Sequence, residues 1–114
     1  MSHSVREYLQ HILIETQFLL DKSADLDESH FFNNEILKRA FVRSLEIVGE
    51  ATKGIPQQFR DLYPAIPWRE MAGMRDRLIH QYSGVNFRVV WETITLDLPD
   101  LHKQISSLLE RDDL

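Results

Sequence analysis

Between Met74 and Phe87 the chain reads MRDRLIHQYSGVNF, and Arg75, Asp76, Arg77, His80 and Tyr82 fall within eight residues. These side-chain types can cleave a phosphodiester without a metal. An imidazole with a pKa near about 6.5 moves protons at neutral pH. A guanidinium grips a phosphate bidentately and stabilises charge that builds in the transition state. In RNA the ribose 2′-hydroxyl is itself the nucleophile, so neither cysteine nor serine is needed. On a helix Asp76 and His80 are i, i+4 and share a face, where the carboxylate can orient the ring and favour its protonated form. Arg75 and Tyr82, seven apart, share a face as well. Arg75 and His80 are five apart, roughly 140° around an ideal helix. They converge on one substrate only at a cleft edge, or where the helix end loosens, as the Ser83-Gly84-Val85 run allows. The same residues have plainer uses. A histidine at a helix C-terminus satisfies carbonyls and the dipole, a surface Arg–Asp pair contributes little, and a tyrosine often packs in a core with its hydroxyl bonded.

The elements that must position these residues read as helical throughout. Val5, Tyr8, Leu9, Ile12, Thr16 and Leu19 recur at helical spacing, with an end expected near Lys22. DKSADLDESHFFNN reads as a polar connector. In the second helix Leu37, Phe41, Ser44, Val48 and Ala51 stack on one face, widened by Ile36, Ala40 and Ile47, and Gly54 and Pro56 stop it. Its other face carries Arg39, Arg43, Glu46 and Glu50, either a solvated stripe of helix-spaced ion pairs or a polar wall toward a cleft or a partner subunit. Pro56, Pro64 and Pro67 bracket a short helix and a connector. A third long helix is expected over Trp68–Tyr82, with Met71, Met74 or Arg75, Leu78 and Ile79 inward. SGVN is its turn, and Asn86 caps a helix whose stripe is Phe87, Val90, Trp91, Ile94 and Leu98. Pro99 then opens a last helix with Leu101, Ile105, Leu108 and Leu109 apolar, and ERDDL reads as a frayed tail. The expected fold class is all-α: one antiparallel helical bundle over residues 1–114, with four to five main helices and some short ones.

The 114 residues suit one domain, and 43% hydrophobic residues make a globular composition. There is no cysteine, which removes disulfides and thiolate chemistry and agrees with a reducing, cytoplasmic setting. No signal peptide or membrane span is read at the start. The five histidines are scattered without an i, i+4 pair, there is no HExxH, GxSxG or phosphate loop, and no metal or cofactor is expected. The net charge of −5 counts mildly against a nucleic-acid partner unless a local basic field exists. Arg75, Arg77 and Arg88 surround the motif, and Arg39 and Arg43 could join from the second helix.

RDRLIHQY resembles the motif of the HEPN superfamily: arginine, a polar residue, three more residues and a histidine. Its extension to Tyr82, Arg-x4-His-x-Tyr, resembles the HepT branch, the toxin of HepT–MntA toxin–antitoxin pairs. AFVRSLEIVGEATKGIP resembles that family's second long helix, and PWREMAGMRDRLIHQYSGVNFRVVWETI its motif helix, turn and following helix. The resemblance implies a helical bundle that forms homodimers, with motif helices meeting in a composite cleft, and metal-independent endoribonuclease activity on RNA. It implies that Arg75 binds the scissile phosphate, that His80 is general acid or base and that Asp76 orients it. It also implies a small nucleotidyltransferase antitoxin that AMPylates Tyr82, placing bulk and negative charge beside the RNA site. Some HEPN proteins bind nucleotides or partner proteins and cut nothing; a non-catalytic binding module, or a plain dimer that only holds the nucleotidyltransferase, are the alternatives.

Overall fold

Ser4 starts the first helix by accepting the Glu7 backbone N–H at 3.1 Å, and the Glu7 carboxylate accepts the Ser4 N–H at 3.2 Å. This reciprocal cap satisfies donors that a helix start leaves open. The computed structural model describes residues 3–80, 84–111, 113 and 114, with the backbone alone at His80. Helix α1 (Val5–Ser23) buries Leu9, Ile12, Thr16 and Leu19, as their spacing predicts.

The polar run after it is more than a connector. It holds a short helix, α2 (Glu28–Phe32), capped by Asp27, whose carboxyl is held below the usual range chiefly by the His30 backbone N–H that it accepts. The reason for α2 is Phe31, which is fully buried and stacks between Phe41 and Trp91, ring centroids 5.3 and 5.2 Å away. Turn-forming polar neighbours masked a single anchoring aromatic.

Helix α3 (Glu35–Lys53) is capped by Asn34, which accepts the Leu37 N–H at 3.0 Å. Phe41, Ser44, Val48 and Ala51 are buried as expected, but the buried face extends to Val42, Leu45, Gly49 and Thr52. Ile36, expected to widen the core face, is 81% exposed, while Ala40 and Ile47 are half-buried. The core lies on the Leu45–Gly49 side because α1 and the later helices pack there. Gly54 ends α3 in right-handed geometry, φ −75°, so a left-handed turn is not why glycine stands here. The Tyr8 ring of α1 occupies the space a side chain would need. Gly54→Ala is therefore expected to destabilise the fold by about 1–3 kcal/mol through overpacking, in place of the small gain helix propensity alone would bring. Thermal melts of Gly54→Ala with and without Tyr8→Ala check this: relief of the loss in the double variant is the expected result.

After α3, Pro56 leads into α4 (Gln57–Asp61), and Arg60 donates to the carbonyls of Thr52 at 2.7 Å and Ile55 at 3.0 Å. The expected long helix Trp68–Tyr82 is broken. It forms α5 (Trp68–Ala72), pauses at Gly73, resumes as α6 (Met74–Leu78) and stops. Ile79–His80 (β1) is extended and pairs antiparallel with Gly84–Val85 (β2), Ile79 opposite Val85 and His80 opposite Gly84. Gln81, Tyr82 and Ser83 lie outside the described residues.

Asn86 then caps α7 (Phe87–Glu92), accepting the Val89 N–H at 3.2 Å. Pro99 does not open a separate helix. The chain continues from α7 through a wide π turn, Thr93–Asp97, into α8 (Leu98–Leu109), with Pro99 in its first turn. In the π turn Leu98 N–H reaches Thr93 C=O, and this widening admits a residue that lacks an N–H and crowds the preceding turn. The tail leaves the helix after Leu109, yet Leu114 is half-buried against the core. Among the described residues the fold is all-α apart from the two-residue pair, with α1 packed on α3 and α8. No helix among them is long and apolar enough to cross a membrane.

Candidate functional site

Helix α6 is held by Met74 and Leu78, i and i+4, which are 4% and 0% exposed. It sits close to α3 because α3 carries glycine at position 49. A Cβ there would stand 3.2 Å from the Met71 carbonyl oxygen and 3.4 Å from Met74 Cβ. Gly49 was not singled out from the sequence, although a glycine inside a strongly periodic helix is a signal of close backbone approach. With Met74 turned inward, Arg75 faces out, which settles the open choice between the two.

Arg75 projects from α6 with its side chain 69% exposed, and its Nε lies 3.7 Å from Glu46 Oε2 on α3. Glu46, read from the sequence as part of either a solvated stripe or a polar wall toward a cleft or a partner, therefore stands beside the motif arginine. Asp76 and Arg77 are exposed on the same short helix. Arg75 and Arg77, two residues apart, point to opposite sides, about 160° from each other. Arg77 turns to the π segment, with Nη1 3.4 Å from Asp97 Oδ2.

The helix ends before His80, so the shared helical face of Asp76 and His80 does not exist; the reading that paired Arg75 with Tyr82 falls on a residue outside the described ones. Ile79 leaves α6 at φ −113°, ψ 120°, and His80 is carried on the extended strand β1. The pairing is closed by Asn86 N–H donating to Leu78 C=O at 2.8 Å, and it uses positive φ (76°) at Gly84, which glycine adopts without strain. The strand pair thus carries the His80 backbone between α6 and α7, and Tyr82 lies outside the described residues. The loosened helix end that would let Arg75 and His80 converge arrives earlier than Ser83.

The remaining cations are dispersed. Arg88 is engaged within α7 by Glu92, i, i+4, at 3.2 Å. Arg43 lies 3.2 Å from Glu50 on α3, and Arg39 is exposed on the same helix. A groove of about 360 Å³ runs between α1 and α3, lined by Ile14, Glu15, Phe18, Ala40, Arg43 and Ile47 among others. A larger cavity of about 720 Å³ lies by α4 and α5 and is not lined by Arg75, Asp76 or His80. Among the described residues no group of three or more His, Cys, Asp or Glu side chains could hold a metal ion. What the motif presents is an exposed guanidinium at the end of one short helix and a histidine on the strand that follows it.

A family model described as "Ribonuclease HepT-like" matches residues 5–108. The chain is 49% identical over 107 residues to a protein of Caldanaerobacter subterraneus subsp. tengcongensis named as a putative RNase, covering 94% of this chain and 96% of that one. It is 41% identical over 108 residues to a protein of Thermococcus cleftensis named "Probable ribonuclease HepT", covering 95% and 98%. A protein of Methanocaldococcus jannaschii, also named as a putative RNase, is 41% identical over 106 residues, covering 93% and 91%. No solved structure matches the chain.

Proposed function

The chain belongs to the HepT-like ribonuclease family, and on that premise we propose that it is a metal-independent endoribonuclease, the toxin of a toxin–antitoxin pair acting as a homodimer. The observation that carries this reading is the junction of α6 and β1. Arg75 is left exposed at the surface, and the chain turns extended at once to deliver His80 five residues later.

In the proposed reaction the 2′-oxygen attacks the neighbouring phosphorus and the bond to the 5′-oxygen breaks. One imidazole takes the 2′-hydroxyl proton and an imidazolium gives a proton to the departing 5′-oxygen. The products are a 2′,3′-cyclic phosphate and a 5′-hydroxyl end. Each chain carries one His80, and a homodimer brings two, which meets the need for a base and an acid. Arg75 holds the phosphate and stabilises the added charge. Asp76, four residues before His80, is assigned the orienting role, exercised through the turn at Leu78–Ile79 instead of along a helix face.

Arg77 and Arg88 supply the local positive field for the RNA backbone. Arg39 and Arg43, exposed on α3, are proposed to join that field. Replacing Arg77 and Arg88 together by glutamate is expected to weaken RNA binding and flatten its salt dependence. Each lost phosphate contact lowers the log–log slope by about 0.7 for single strands. Filter binding across a salt series checks this, and an unchanged slope would remove both residues from the RNA path.

The partner proposed for regulation is a small nucleotidyltransferase that transfers AMP to Tyr82. The test is cleavage of RNA by purified protein in excess EDTA, with Tyr82 shown by mass to be unmodified. Cleavage leaving cyclic phosphate ends is expected. Incubation with the antitoxin and ATP is expected to add one AMP mass at Tyr82 and stop cleavage, while Tyr82→Phe gains no mass. Absence of cleavage by an intact, unmodified dimer would leave a non-catalytic binding module as the function.

A further inference from the structure

Helix α6 has only 5 residues, too few to hold a direction by itself, and its neighbours fix it from two flanks. Among the described residues, the ion pairs that join separate elements are Arg75–Glu46 and Arg77–Asp97, and both end on α6. Elsewhere on α3 the pairs are local: Glu35 meets Lys38 at 3.1 Å and Glu50 meets Arg43 at 3.2 Å. Arg43, about one turn before Glu46, is thus drawn along its own helix to Glu50. The cation that reaches Glu46 comes from the motif instead.

The two partners are unequally free. The Glu46 side chain is 22% exposed and that of Arg75 69%, so the carboxylate is the fixed member and the guanidinium the one to be aimed. The contact is made at Nε, 3.7 Å from Oε2. That exceeds a hydrogen bond, so it is an electrostatic bias that phosphate binding need not break. It takes up the side of the fork that includes Nε and leaves the end-on edge, Nη1 with Nη2, for a bidentate grip on phosphate. The separation is set about one turn further along α3. A Cβ at Gly49 would stand 3.2 Å from the Met71 carbonyl oxygen and 3.4 Å from Met74 Cβ, so glycine there lets the residue before Arg75 lie against α3.

We propose that Glu46 is a positioning residue: it draws Nε of Arg75 toward α3 and so turns the Nη1–Nη2 edge outward to the scissile phosphate. This rests on the reading of the protein as a ribonuclease and deepens the role of Arg75 in it. Glu46 touches no reacting atom, and its charge has two opposing effects. It repels the RNA backbone in the ground state. It also restricts the guanidinium to the direction that the transition state needs. A residue that only supported the fold would not produce that split.

The experiment compares full-length Glu46→Gln with the parent and with Glu110→Gln, an exposed residue just past α8 whose change alters the net charge equally. On a short RNA in excess EDTA, Glu46→Gln is expected to lower kcat by about 10-fold while KM stays level or falls. Glu110→Gln is expected to match the parent. Glu46→Asp, which keeps the charge, is expected to recover part of kcat. A kcat for Glu46→Gln within about twofold of the parent would overturn the proposal, as would a raised KM with kcat unchanged. So would a higher kcat, because Glu46 would then be a counter-ion that RNA must displace. The orientation is read without RNA, from the Arg75 Nε–Hε signal of ¹⁵N-labelled protein, assigned by its loss in Arg75→Lys. In Glu46→Gln that signal is expected to shift and its heteronuclear NOE to fall, with the backbone amide spectrum otherwise retained. An unmoved signal would overturn the positioning role whatever the cleavage rates, and a spectrum changed throughout would make Glu46 a support of the fold instead. A parent that cleaves no RNA, yet whose Arg75 signal responds to Glu46, would sink the ribonuclease reading and leave the orientation standing.

Discussion

His80→Ala is expected to lower the RNA cleavage rate by about 10²–10⁴-fold, the usual contribution of a positioned acid or base. The prediction follows from having one motif histidine per chain to move protons in the proposed reaction. Arg75→Ala is expected to cost on the order of 10²–10³-fold through lost stabilisation of the phosphate charge. Arg75→Lys should recover only part of it, since a point charge does not reproduce the planar fork. Initial rates on a short labelled RNA in EDTA measure both. Because β1 is held by backbone pairing to Gly84–Val85, neither substitution removes a bond of that pairing. Activity of His80→Ala within about threefold of the parent would remove the histidine from the reaction.

The largest expected effect on stability comes from a helix the sequence pattern hides. Phe31→Ala is expected to destabilise the protein by about 3–5 kcal/mol, the range for truncating a fully buried aromatic. For a chain of this size that lowers the melting temperature by on the order of 15 °C. Phe31 joins three elements, because its ring stacks on Phe41 of α3 and Trp91 of α7 and meets Phe87 edge-on at 6.4 Å. Helix α7 is anchored there immediately after the strand pair that bears His80. Phe31→Ala should therefore loosen the site as well as the core, raising amide exchange around Asn86–Val90. Phe31→Leu should retain more than half of the stability. A melting shift under about 3 °C for Phe31→Ala would mean that α2 contributes little, contrary to its burial.

Much of the helical framework was legible in the residues. The apolar periods of α1, α7 and α8 match their buried faces, and Asn86 is the cap its place before α7 predicts; Ser4 and Asn34 cap in the same local way, though neither was singled out from the sequence. Local chemistry of this kind is written within a few positions, so it can be read without the fold. The α2 helix was not legible, because its five residues have too few turns to show a period and its stability comes from two distant rings. Pro99 was misread for a related reason. Proline implies a break in an isolated helix, but the buried Thr93, Ile94 and Leu98 hold the chain in place through a π turn.

The motif divides along the same line. Its residue types and order, with Arg75 and Asp76 ahead of His80 and Tyr82, stand in the sequence and carry the family resemblance. Their mutual geometry does not. Helical spacing put Asp76 and His80 on one face, and the structure ends α6 at Leu78 and sends His80 into a strand. The deciding contacts lie far along the chain: Gly49 admits α5 and α6 close to α3, Glu46 meets Arg75, and Asn86 ties back to Leu78. By itself, then, the sequence determined which side chains are available for chemistry and which faces are apolar, because these depend on residue identity and local period. Only the tertiary structure decided where the motif helix stops and which carboxylate stands beside its arginine, because those outcomes are set by packing between segments distant in sequence.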